Sequence, residues 1–138
     1  MRRTVCLLAA LLLVLPSLAS DSPKEYDGAT VKKDDLEGTW RLVAVKYDGK
    51  FMVSDHLEYV FHRGTITFKV RGAETWQGSY RTDPTRKPSD LDMYSTKWIY
   101  QIDGDALWMA YVPFKFRDTR PTGFDDNGIS IQTFKRVK

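Results

Sequence analysis

The sequence predicts an all-β fold, a small up-and-down antiparallel β-barrel of about eight strands, and three observations carry that reading. Short runs alternate apolar and polar residues with a period of two, as in Thr65–Val70, where Ile66, Phe68 and Val70 interleave with Thr65, Thr67 and Lys69. Turn residues punctuate these runs at Asp48-Gly49, Arg63-Gly64, Asp103-Gly104-Asp105 and Asp126-Asn127-Gly128. No long helical period and no internal repeat interrupts the pattern.

The first 19 residues read as an export signal rather than as part of the fold. Arg2 and Arg3 form a positive start, Val5 through Leu15 is an apolar stretch, Pro16 ends it, and Ser17-Leu18-Ala19 supplies small residues for cleavage near Ala19. The stretch is shorter than the roughly 20 residues of a spanning helix, so no transmembrane segment is expected in the mature chain. Cys6 is the only cysteine. A product cleaved after it has no disulfide, thiolate metal ligand or thiol nucleophile, and is exported to a periplasmic or extracellular setting. Losing Arg2 and Arg3 takes the formal charge from +3 to +1. That near-neutral balance gives no electrostatic reason to expect a nucleic-acid partner.

Residues 20–35 read as a polar tether closing with a short helical turn before Leu36, and 36–138 as the barrel domain. Gly38–Tyr47 forms the first strand, with Trp40, Leu42 and Ala44 on one side and Val43, Val45 and Tyr47 on the other. Asp48-Gly49 is a tight turn. Ser54 to Tyr59 reads as a helical turn capped by Ser54 or Asp55. Thr65–Val70 and Thr75 to Thr82 follow as strands, Leu91 and Met93 mark the next, and Trp98 to Asp103 pairs with Ala106 to Val112 as a hairpin. Ile129 to Arg136 closes the chain.

With these residues in view, the chain resembles a lipocalin-like family of small exported proteins of unassigned function, abundant in planctomycete bacteria. Leu36-Glu37-Gly38-Thr39-Trp40 is similar to the family's opening, and Gly78-Ser79-Tyr80, Asp83-Pro84, Pro88 and Asp92 to its middle pattern. Tyr100 through Leu107 is similar to its hairpin, Arg120-Pro121-Thr122-Gly123-Phe124 to its late loop, and Phe134-Lys135-Arg136 to its last strand. The resemblance implies a barrel whose Gly-x-Trp end is closed by a basic residue, Arg136 or Lys135, lying over Trp40. It implies no catalytic residues.

The inward-facing aromatic and methionine positions are the main functional candidates. Phe68, Trp76, Tyr80, Met93, Trp98, Tyr100, Met109 and Tyr111 are expected to line an apolar pocket with hydroxyls that orient a ligand, although a filled core produces the same alternation. Arg86, Lys87, Arg117 and Arg120 form a candidate basic rim for an anionic head group, or a set of solvated loop charges. Asp90 and Asp92 share a strand face, but two carboxylates do not make a calcium site. His56 and His62 lack zinc spacing, and no nucleophile–base pattern occurs, so neither metal, cofactor nor catalysis is expected. The expected function is non-catalytic binding of a small apolar or amphipathic molecule. The alternative is a filled barrel serving as a structural or protein-interaction module of the cell envelope.

Overall fold

A computed structural model describes residues 35–113 and 118–138. The expected leader, and all of the expected tether except Asp35, lie outside the described residues. Nine strands are present: β1 (Gly38–Tyr47), β2 (Lys50–Val53), β3 (Leu57–His62), β4 (Thr65–Val70), β5 (Ala73–Asp83), β6 (Ser89–Met93), β7 (Thr96–Asp103), β8 (Ala106–Tyr111) and β9 (Ser130–Arg136). Every pairing is antiparallel, in the order β2-β1-β3-β4-β5-β6-β7-β8-β9, and β1 also pairs with β9. Eight strands therefore close into a barrel, and β2 stands outside the ring as a flap on β1.

Strand β1 makes this possible because it is long enough to hold three partners. One side pairs with β9 along its length. The other side pairs first with β3, from Gly38 to Arg41, and then with β2, from Ala44 to Tyr47. A bulge at Val43 shifts the register between Leu42 and Ala44. The extra residue rotates the strand, so Trp40, Leu42 and then Val45 face the core. The expected alternation of Trp40, Leu42 and Ala44 on one side thus holds only as far as Leu42.

A second correction concerns Ser54 to Tyr59, expected to be helical. The chain bends at Asp55 and His56 and then runs as strand β3 from Leu57. Leu57, Tyr59 and Phe61 repeat every second residue against the core, and that strand periodicity prevails over the capping signal at Ser54. The helical turn expected at the close of the tether lies outside the described residues. Asp35 and Leu36 form a turn, and no helix occurs among the described residues. Hence no described helix is long and apolar enough to cross a membrane.

The barrel is sealed at the end where β1 begins. Leu36 and Trp40 are fully buried, and Trp40 Nε1 donates to the Leu36 carbonyl at 2.8 Å. Arg136 covers the indole, its guanidinium carbon 4.0 Å from the ring centroid. The same guanidinium donates from Nη1 to the Glu37 carbonyl at 2.8 Å and from Nη2 to the Asp35 carbonyl at 3.0 Å. Of the two basic residues expected over Trp40, Arg136 takes the place, while Lys135 is exposed. Gly38 belongs to this latch: its φ is +124°, and a Cβ there would sit 3.0 Å from Arg136 Nη1.

The wall has two apolar faces on one flank. Inside lie Phe61, Ile66, Leu91, Leu107, Met109 and Phe134. Outside, Ile99, Ala110 and Ile129 form a smaller cluster with Val112, Phe124 and Ile131, because the loop leading into β9 lies against β7 and β8.

Replacing Arg136 with Ala removes the cation over Trp40 and two charged hydrogen bonds to carbonyls. The expected loss is about 2 kcal/mol in urea unfolding, with Arg136→Lys recovering part of it. A change within a few tenths of a kcal/mol would mean that the latch is not structural.

Candidate functional site

The eight residues expected to line a pocket divide into two groups. Tyr80, Met93, Trp98, Tyr100 and Met109 are buried at 7% exposure or less, within the core cluster. The Trp98 ring lies over Tyr111 with centroids 4.1 Å apart, and its Nε1 is buried with no hydrogen-bond partner among the described residues. Bulky side chains thus crowd the lower and middle barrel.

Phe68, Trp76 and Tyr111 behave differently. Phe68 and Tyr111 are partly buried, Trp76 is exposed, and all three stand toward the end opposite Trp40. Tyr94 joins them: its ring is 3.9 Å from Trp76 and 4.8 Å from Phe68, and Phe68 is 5.2 Å from Trp76 and stacks on Tyr59 at 4.3 Å. Sequence reasoning missed Tyr94 because it lies in the turn between β6 and β7, not in a strand. Tyr94 and Ser95 both have φ of 56°, a tight left-handed turn made without glycine. That conformation tips the Tyr94 ring over the mouth. Trp76 reaches the cluster because Gly78 lacks a side chain; a Cβ at Gly78 would fall 1.9 Å from the Trp76 ring.

The polar character of this mouth is neutral. Tyr59 Oη donates to Gln132 Oε1 at 3.1 Å. Burial raises the Tyr59 phenol well above the ordinary range, and the phenols of Tyr94 and Tyr111 raise it further. Burial raises the Tyr94 phenol in the same direction. The Tyr59 and Tyr94 phenols thus stay protonated, and the buried polar side chains among the described residues, Thr96 and Ser130, carry no charge.

The expected basic rim is not assembled at this mouth. Arg86 and Lys87 lie in the β5–β6 turn at the Trp40 end, and Arg117 lies outside the described residues. Arg120 crosses the outer wall of β6 and β7. Its Nη2 is 2.5 Å from Asp92 Oδ1 and its Nε 3.4 Å from Asp90 Oδ2, and Nη1 donates to the carbonyls of Trp98 and Leu91. Arg86 lies 3.9 Å from the same Asp90 carboxylate, and Lys97 lies 3.1 Å from Asp92. The arginines are drawn to strand carboxylates, and Arg120 straps the late loop to the wall. Partial burial pushes the Asp92 carboxyl up, but Arg120 and Lys97 together outweigh it and hold it below its ordinary range. Among the described residues, no three His, Cys, Asp or Glu side chains converge as metal ligands.

A second surface was not legible as a site. Strand β2 carries Phe51, Met52 and Val53 at 69%, 60% and 85% exposure. Lys46 Nζ lies 5.5 Å from the Phe51 ring. Phe51 also borders an open cleft of about 360 Å³ on the outer wall, walled by Trp108, Phe124, Ile131 and Thr133. The readable signal was Asp48-Gly49 followed by an apolar run, a hairpin signature that places a strand at Lys50–Val53.

Comparison with protein-family models, with curated proteins and with solved structures returned no match.

Asp92 contributes stability that is fully present above its unfolded pKa, about 3.9, and is lost as pH falls through its lower folded value. Asp92→Asn is expected to be less stable than the parent at neutral pH, with the gap closing below about pH 4. Urea midpoints measured at several pH values check this; a gap independent of pH would remove the Arg120–Asp92 bond as its cause.

Proposed function

We propose that this chain is a non-catalytic interaction module, acting in the exported compartment predicted by its leader, and that the β1–β2 hairpin is its docking element. One observation carries the reading: three consecutive large apolar side chains stand in solvent on a strand outside the closed ring. Isolated exposed apolar residues are ordinary, but a contiguous apolar patch on an edge strand is a surface that proteins normally cover, charge or pair. Eight strands filled with aromatics make a stiff support for such a hairpin.

The test places a photo-crosslinking residue at Val53 in cells, with His62 at the other end of the barrel as control. Adducts from position 53 and not from 62 are expected. Equal labelling, or none at 53, sinks the docking reading.

A second reading is favoured by the aromatic mouth. Phe68, Trp76, Tyr94 and Tyr111 offer partly exposed ring faces beside the protonated Tyr94 phenol, a lining suited to a small apolar or amphipathic molecule with an uncharged head. An anion entering there would lose its hydration with no buried cation among the described residues to replace it. Titration with neutral aromatic probes is expected to shift tryptophan emission, and Trp76→Phe to abolish most of that shift. An unchanged response in Trp76→Phe would rule out the mouth.

A further inference from the structure

We infer that the partner of the β1–β2 hairpin is a second copy of this chain, joined by antiparallel pairing of β2 with β2 about a two-fold axis through Met52. The inference rests on the docking reading above and adds the partner and its register.

The backbone phase comes first. A two-residue turn at Asp48-Gly49 makes Tyr47 and Lys50 the hydrogen-bonded pair nearest the turn. Pairs then alternate, so Met52 bonds toward Val45, and Ser54 donates to the Val43 carbonyl at 3.3 Å, in phase with this pattern. Phe51 and Val53 are left with N–H and C=O groups directed away from β1, along a strand edge that no other described strand pairs with. That edge has no proline, and Lys50 is its one charged residue, so the usual devices that keep edges apart are nearly absent.

The phase restricts how a second β2 can join. In an antiparallel pair, only residues whose backbone groups both point outward can exchange bonds, so Phe51 or Val53 must meet Phe51 or Val53 of the other copy. Pairing Phe51 with Val53 satisfies this twice by symmetry and places Met52 against Met52. An aromatic residue then faces a β-branched one on the outer face, a favourable cross-strand pair. The same register sets Lys50 against Ser54, where the extended stretch ends before the bend at Asp55 and His56. A shift by two in one direction pairs Val53 with Val53 but sets Met52 against Ser54 and carries Phe51 past the end of the strand. A shift in the other pairs Phe51 with Phe51 but sets Val53 against Gly49 in the turn and Lys50 against Met52. Apolar matching therefore selects the Met52-centred register, in which Phe51, Met52 and Val53 all meet apolar partners.

That register has a geometric signature. Met52 and its symmetry mate form a non-hydrogen-bonded pair with Cα atoms about 4.5 Å apart, within the roughly 4.4–6.8 Å span of a disulfide. Phe51 and its own mate sit diagonally, as do Val53 and its mate, roughly 7–8 Å apart and beyond that span. The experiment uses the exported protein in a Cys6→Ser background. Met52→Cys is expected to form a covalent dimer under mild oxidation, with about tenfold more product than Phe51→Cys or Val53→Cys. The unmodified chain is expected to double its mass in sedimentation as concentration rises, and Met52→Lys, which opposes two cations at the axis, to remain monomeric with an unchanged circular dichroism spectrum. A chain monomeric at every concentration, or equal crosslinking at 51, 52 and 53, overturns the inference. A Val53 photo-adduct of a mass other than twice the chain also overturns it while leaving the docking reading in place; no adduct at all removes both.

Discussion

The pairing of the first strand with the last is the constraint on which the rest of this molecule depends. Once β1 and β9 exchange backbone bonds, the eight-stranded sheet has no free edge within its ring. Closure also forces every inward side chain into one enclosed volume, and the packing of Trp40, Phe61, Tyr80, Trp98 and Phe134 follows from it. The latch of Arg136 over Trp40 sits where the two strands meet, so one guanidinium ties the chain's end to its beginning through Asp35 and Glu37.

The same constraint exposes β2. Because β3 occupies only the first part of β1's second side, the far half of that strand would be left bare; β2 folds back to cover it. The flap satisfies β1 and transfers the unpaired edge to itself. The barrel's closure and the hairpin's exposure are therefore two results of one length mismatch between β1 and β3. The Val43 bulge helps, because it turns the outer half of β1 so that Val45 still faces the core beside Tyr59 and Gln132.

At the open end, two departures from simple strand chemistry gather the aromatic rings. A left-handed turn at Tyr94-Ser95 projects a ring from a position that belongs to no strand. A missing side chain at Gly78 lets the Trp76 indole lie back along its own strand toward it. Arg120 ties its part of the late loop to Asp90 and Asp92 on the outer wall.

The sequence by itself determined the all-β class, the extent of β1 and β4, the hairpin of β7 and β8, and the inward direction of most large residues. These follow from local rules: period-two alternation and turn chemistry act between near neighbours, so they can be read along the chain. The resemblance, not a local rule, pointed to a cation over Trp40 and left it as Arg136 or Lys135; the fold places Arg136 there. What only the tertiary structure decided was long-range. Phe68, Trp76 and Tyr111 separated from Tyr80, Met93, Trp98, Tyr100 and Met109 because depth in the barrel depends on strand stagger, to which alternation is blind. Arg120 left the expected rim because its carboxylate partners, 28 and 30 residues earlier, meet it only after folding. Phe51, Met52 and Val53 drew no reading from the sequence; their exposure arises because closure leaves β2 no neighbour beyond β1 among the described strands.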